Sequence, residues 1–352
     1  MIEALLVTDS DRADWEQYLR DRSIGHHAYS WPWRTVIPEV FSHAPHYLIA
    51  RDSQTKAVCG LLPIVLVKSL LFGKALISLP YLNAGGIVAD SPEAATALYD
   101  RVTELGRELD VGYIELRHVH AAQCYPADLP VRTHKVSMHL ALKRDPEELF
   151  RSFPPKLRSQ VRRPAKDGMI AEVSGSSLAV DDSMQAFYQV FSEHMRDLGT
   201  PVYPRSLFTS VVRNFGKSCR TITVWHERRP VAAGITLGNG PLVEIPWASS
   251  LKKFSKSSPN MLLYWEAIKA ACQDGYDTFD FGRSSPESGT FRFKQQWGAT
   301  PVTLHWYYQL FRGETPDVNP KNPKYTALVT CWQRLPLSVA NLVGPWLTRS
   351  IP

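Results

Sequence analysis

Residues 219–250 read CRTITVWHERRPVAAGITLGNGPLVEIPWASS, and this stretch decides the fold. Its alternating β-branched and aromatic residues predict three antiparallel strands, with Gly238-Asn239-Gly240 supplying a hairpin turn. Downstream, SSPNMLLYWEAIKAACQDG (257–275) predicts an amphipathic helix closed by Gly275, and a strand follows in DTFDFGRSSPESGTFRFKQQWG (277–298). VTLHWYYQL (302–310) reads as a final strand. Upstream, residues 144–168 read as helical up to Pro164, with Gly168 ending the turn. MIAEVSG is a short strand, and the segments 181–199 and 204–216 are helices, the first opened by acidic residues that suit the helix dipole.

The first part of the chain has the same mixed character. A helix is expected near 11–21, strands at YLIARD, AVCGLLPIVLV and ALISLPYL, and a helix from Pro92 to about Leu109 capped by Ser91. The strand VGYIELRHV comes next, and SMHLALKR closes the unit near 143. At 352 residues the chain exceeds one ordinary core, so units at 1–143 and 144–312 with a tail at 313–352 are expected. The fold class is mixed α/β.

Bulk numbers exclude several classes. A hydrophobic content of 44% belongs to a folded protein, and a net charge of +6 is too small to argue for DNA. Five cysteines, at 59, 124, 219, 272 and 331, form no CxxC pair and give neither a disulfide framework nor a zinc site. The apolar run 61–80 is interrupted by Pro63, Lys68, Gly73 and Lys74, so it predicts two strands and a turn instead of a membrane span. No signal-peptide pattern opens the chain, and a cytoplasmic location is expected, at the inner face of the membrane if the tail touches lipid. No Walker A, GxGxxG or HExxH pattern occurs. Asp280-Phe281-Gly282 has no HRDxxxxN before it, which excludes a protein kinase.

FDFGRS (279–284), SGTFRFKQQWG (288–298), MRDLGTPVYPRSLF (195–208), KLRSQVRR (156–163) and LPIVLVKSLLFGKALISLPYLNAGG (62–86) together resemble the FemAB-related branch of the GNAT superfamily. They look most like the proteins associated with exosortase and PEP-CTERM systems. The order of helices, meander, helix and strands also suits an N-acyltransferase fold of the GNAT kind. The resemblance implies two GNAT-like lobes in tandem with a C-terminal helical tail. It also implies transfer of an acyl or aminoacyl group to an amine of a cell-envelope or exopolysaccharide precursor. The donor is acyl-CoA or aminoacyl-tRNA, with no metal. A GNAT-like module that has lost catalysis and binds glycan or lipid precursors is the alternative.

Acyl transfer to an amine needs a deprotonated amine, a fixed carbonyl and a donor to the oxyanion. The expected catalytic residues are Asp280 as base or orienting carboxylate, Arg283 as a bidentate anion holder, and Ser284 as a hydrogen-bond donor. Arg283 has a second reading, as a partner of Asp280 or Glu287. Lys294 is expected at a phosphate, whether its segment is extended or helical. Arg158, Arg162 and Lys166 fall at i, i+4 and i+8 and form a basic stripe for phosphates. Tyr264, Trp247 and Glu244 are candidate cleft residues, while Trp265 reads as core. In the tail, Tyr325, Leu328, Val329, Trp332 and Leu335 fall at helical spacing and predict a helix docked on the body. Trp332 and Trp346, with Arg334 and Arg349, are candidates for a membrane surface.

Overall fold

The computed structural model describes residues 1–69, 73–122, 125–126, 128–174, 180–315 and 326–351. Cys124 and Tyr325 lie outside the described residues.

The second lobe is built on a seven-stranded sheet in the order Ile170–Ser174, Cys219–His226, Arg229–Asn239, Leu242–Ser250, Thr278–Ser284, Val136–Ala141 and Thr300–Thr303. The meander expected at 219–250 forms, but its second turn sits at Gly240-Pro241, where Gly240 takes φ +51°. Gly238 stays in its strand. A Cβ there would fall 1.9 Å from the Tyr276 hydroxyl, so the ring packs where only glycine leaves room.

One face of this sheet is covered by helices Pro146–Ser152, Pro155–Lys166 and Pro259–Gln273, which enclose Phe279, Phe281, Trp265 and Trp297. The single helix expected at 144–164 is two, because Phe153 is extended ahead of Pro154. The second of them continues through Pro164 to Lys166. The other face is covered by helices Val180–Leu198 and Arg205–Phe215, together with helices Arg12–Asp21 and Trp33–Phe41 of the first lobe. Trp15, Trp33 and Phe41 therefore share one core with Phe187, Phe208 and Trp247. That shared core buries several large aromatic side chains and fastens the two lobes.

The first lobe carries two sheets. Strands Ile2–Leu6, Leu48–Asp52, Val58–Leu62 and Val88–Ala89 form one. Ala44–Pro45, Ile64–Ser69, Gly73–Ser78, Tyr113–His118, His305–Leu310 and Val131–Arg132 form the other. Helix Pro92–Glu108 packs on them through Leu98, Val102 and Leu105.

Two strands lie across the lobes. Val136–Ala141, expected to close the first unit, hydrogen-bonds between Thr278–Ser284 and Thr300–Thr303 in the second sheet. His305–Leu310, near the end of the second unit in sequence, pairs with Tyr113–His118 in the first lobe. Each lobe completes its sheet with a strand from the other part of the chain. The expected outcome is one cooperative thermal transition for the full chain and none for a 1–143 fragment, read by circular dichroism. A fragment that melts cooperatively would show that the strand from 305–310 is dispensable.

Candidate functional site

Strands Leu242–Ser250 and Thr278–Ser284 run parallel and pair only at Leu242–Thr278, Val243–Phe279 and Glu244–Asp280. Beyond the last pair each strand continues, but their pairing with each other ends, so the sheet opens a gap at Glu244 and Asp280. His139 is the register partner of Asp280 on the far side. Because side chains alternate along a strand, Phe279 and Phe281 enter one core while Asp280 faces the other way. Glu244, Asp280 and His139 thus form a row across three neighbouring strands.

The row is buried, with Glu244 and Asp280 each 1% exposed. Two adjacent carboxyls in such a place cannot both ionise cheaply, and the surroundings divide them. Burial alone would raise the pKa of Asp280. Its contact with His139 and the bond from Ser137 Oγ at 2.5 Å instead hold it below the ordinary carboxylate range. The Gly282 amide donates to the same carboxylate at 2.7 Å. His139 Nε2 lies 3.2 Å from Asp280 Oδ2, at an angle that makes the contact more ion pair than hydrogen bond. Burial lowers the pKa of His139, but Asp280 and Glu244 outweigh it and raise it.

Glu244 is on the other side of the balance. Burial, and then the charge of Asp280, push its pKa up to about 7 against the opposing pull of Lys294. Its Oε2 lies 2.6 Å from His27 Nε2 and 3.4 Å from His26 Nε2. Burial keeps both imidazoles neutral, at about 3 for His27 and about 4 for His26. His26 Nδ1 accepts the Ala28 amide at 3.1 Å, so its ring proton sits on Nε2 and points at Glu244. His26, His27 and Glu244 are close enough to hold a metal ion. The tautomer fixed on His26, however, puts a proton where an ion would sit, and the cluster is a hydrogen-bond network.

Gly282 follows the row at φ +73°, a conformation that favours glycine, and a Cβ there would meet Glu244 Oε1 at 3.3 Å. It turns the strand so that Arg283 emerges exposed to solvent. The Arg283 guanidinium stacks over the Trp306 ring at 5.2 Å, and Arg117 lies over the same ring at 4.4 Å. Glu115 holds Arg117 at 2.7 Å, while Arg283 makes no ion pair of its own among the described residues and feels Glu115 only from a distance. The pairing of Arg283 with Asp280 or Glu287 is not formed. At the other end of the row a cleft of about 750 Å³ opens between the lobes, lined by His26, His139, Arg22, His118, Leu242 and Thr278.

The remaining sequence candidates fall elsewhere. Ser284 is buried and its hydroxyl has no partner among the described residues. Lys294, on helix Gly289–Gln295, is buried and donates to the carbonyls of Gly282 (2.8 Å) and Arg283 (3.0 Å), so it fastens the turned strand instead of facing a phosphate. Trp247 is core, edge-on to Phe208 at 5.2 Å. Tyr264 packs on Phe281 and Phe293. Arg158, Arg162 and Lys166 ride on helix Pro155–Lys166, which covers the sheet face opposite the row, and Arg162 lies over the Phe150 ring at 5.1 Å. That stripe cannot join the row. Sequence reading missed His26, His27, His139 and Ser137. The adjacent histidines of GHHAY and the alternation in VSMHLA were the available signals.

An infrared pH titration should show a protonated carboxyl that ionises near 7 and is absent from Glu244→Gln. Its persistence in that variant would reassign the group.

Residues 155–295 match the family described as acetyltransferase (GNAT) domain. No curated protein matches the chain in sequence. Among solved structures, FemX is 14% identical with a TM-score of 0.61, covering 87% of this chain and 97% of that one. A tandem GNAT protein from the clavulanic acid biosynthesis pathway is 12% identical with a TM-score of 0.54, covering 90% and 99%. N-myristoyltransferase of Saccharomyces cerevisiae with bound myristoyl-CoA is 10% identical with a TM-score of 0.51, covering 89% and 80%. At these identities the likeness is one of fold. Among the described residues, no helix is long and apolar enough to cross a membrane. The chain thus shares its overall fold with FemX and the tandem GNAT protein, and within its second lobe residues 155–295 match the GNAT acetyltransferase domain model.

Proposed function

We propose that the protein transfers an acyl or aminoacyl group to an amine of a phosphate-bearing envelope or exopolysaccharide precursor, by direct attack within a ternary complex. The observation that carries this reading is the row of Glu244, Asp280 and His139 at the point where two parallel strands part. The parted strand edges offer backbone groups to a donor carbonyl, and His139, backed by ionised Asp280, faces the cleft where an amine can enter.

Amine attack requires that a proton leave the ammonium form. His139 accepts it, and Asp280 stabilises the imidazolium that results. The neutral nitrogen then bonds to the carbonyl carbon, and collapse of the tetrahedral intermediate breaks the bond to the donor's sulfur or oxygen. The departing thiolate or alkoxide takes the second proton that the nitrogen sheds, and the imidazolium of His139 returns the first to solvent. No enzyme nucleophile is needed. Burial raises the thiol pKa of Cys219 to about 12 and that of Cys272 as well, which suits structural thiols.

Arg283 supplies an unpaired guanidinium for a phosphate of the acceptor. For the donor, Lys252, Lys253 and Lys256 precede the amino end of helix Pro259–Gln273, a combination that favours a phosphorylated carrier. N-myristoyltransferase, which shares the fold, is seen with myristoyl-CoA. The FemAB resemblance keeps aminoacyl-tRNA as the other donor class.

Labelled-transfer assays with acyl-CoAs and aminoacyl-tRNA test this reading. With the productive donor, kcat/KM should rise with pH through a pKa above the ordinary histidine value, because His139 must be neutral to act. Asp280→Asn removes the charge that raises this pKa and should move the rising limb to lower pH. His139→Gln should lower kcat by roughly 10²–10⁴-fold. Transfer at the wild-type rate by His139→Gln, or no transfer from either donor class, would overturn the proposal. Separately, Arg283→Ala should raise the acceptor KM about 10- to 100-fold with a smaller change in kcat, the size expected for losing a charge-assisted hydrogen bond. An unchanged KM would remove Arg283 from acceptor binding.

A further inference from the structure

The C-terminal helices leave an apolar stripe that the fold does not use. Helix Leu337–Thr348 docks through Ala340, Gly344 and Thr348, which are buried. Gly344 permits the approach, since a Cβ there would fall 2.7 Å from the Val202 side chain and 2.8 Å from its backbone nitrogen. On another face Val339, Leu342, Val343 and Trp346 recur at i, i+3, i+4 and i+7, the spacing of a buried helix stripe. Here Leu342 is 79% and Trp346 63% exposed, and Leu328 on helix Thr326–Gln333 is 66% exposed.

Charge decides what covers the stripe. Residues 326–351 contain Arg334 and Arg349 and no acidic residue, and both arginines are exposed. Ser69 Oγ donates to the Ser350 carbonyl at 2.7 Å, which brings exposed Lys68 to the same end of the helix. An apolar stripe flanked by cations complements an anionic lipid surface. Pairing with a second copy about a twofold axis would instead bring the same cations together.

We propose that helix Leu337–Thr348 lies on an anionic membrane surface, with Leu342 and Trp346 entering the interface and Arg334, Arg349 and Lys68 meeting lipid phosphates. From the same surface a series of contacts leads to Arg283. The Arg349 carbonyl accepts from Tyr81 Oη at 3.2 Å, Tyr81 meets Tyr203 edge-on at 5.8 Å, and Tyr203 neighbours Arg283 and Arg117. A lipid-linked phosphate can therefore reach Arg283 from the membrane, a step that rests on the acceptor assignment made under Proposed function.

Co-sedimentation of the full chain with phosphatidylcholine vesicles, with and without phosphatidylglycerol, tests the surface. Binding should require the anionic lipid and weaken with added salt. It should fall about tenfold or more in Leu342→Glu and Trp346→Glu at unchanged melting temperature. Arg283→Ala should bind vesicles as the unaltered chain does, so failure of the acceptor assignment and failure of the surface are distinguishable. Binding that ignores lipid composition, or variants that sediment normally, would overturn the proposal. So would a dimer in light scattering that both variants dissociate while vesicles go unbound.

Discussion

Glu244 and Asp280 are register partners on parallel strands, and the site depends on keeping two buried carboxyls side by side. Like charges at that separation in a dry setting repel strongly, so one group must be favoured as the anion and the other as the acid. Asp280 receives the donors, from Ser137 and the Gly282 amide, and the imidazole of His139 as ion-pair partner. Glu244 receives neutral imidazoles and a pKa near neutrality. This asymmetry turns a costly pair into a site that can hold and release a proton at physiological pH.

The asymmetry is supplied by both lobes. His26 and His27 come from the first lobe, whereas Asp280, His139 and Ser137 lie on neighbouring strands of the second sheet. Trp306 belongs to a strand in the first lobe, yet it carries Arg283 of the second lobe and Arg117 of the first on its ring. A shared aromatic core behind the row, including Trp33, Phe208, Phe215 and Trp247, keeps the two contributions in place. Disturbing the packing between lobes therefore alters proton affinity as well as stability.

Much of this was legible in the sequence. The meander, the helix closed by Gly275 and the strand that runs into DFGRS follow from local periodicity and glycine placement, and they form. The alternation of Phe279 and Phe281 against Asp280 was readable for the same reason. Pairing across the chain was not, since nothing local in VSMHLALKR says which sheet the strand joins. That choice hid His139, whose role comes only from standing beside Asp280. The basic stripe of Arg158, Arg162 and Lys166 was read correctly as a helical face, but the side of the sheet it covers is a tertiary fact. Lys294 departs from its expected place at a phosphate because a lysine can satisfy strand-end carbonyls as readily.

The exchanged strands also bear on how the chain is made. During synthesis from the amino end, Tyr113–His118 emerges nearly two hundred residues ahead of its partner His305–Leu310. Over that interval the first sheet has an open edge, and the strand Val136–Ala141 waits for Thr278–Ser284 and Thr300–Thr303. Unpaired strand edges invite mispairing. The two sheets thus stay incomplete until residue 310 has left the ribosome, and dependence on chaperones should be greatest in that window.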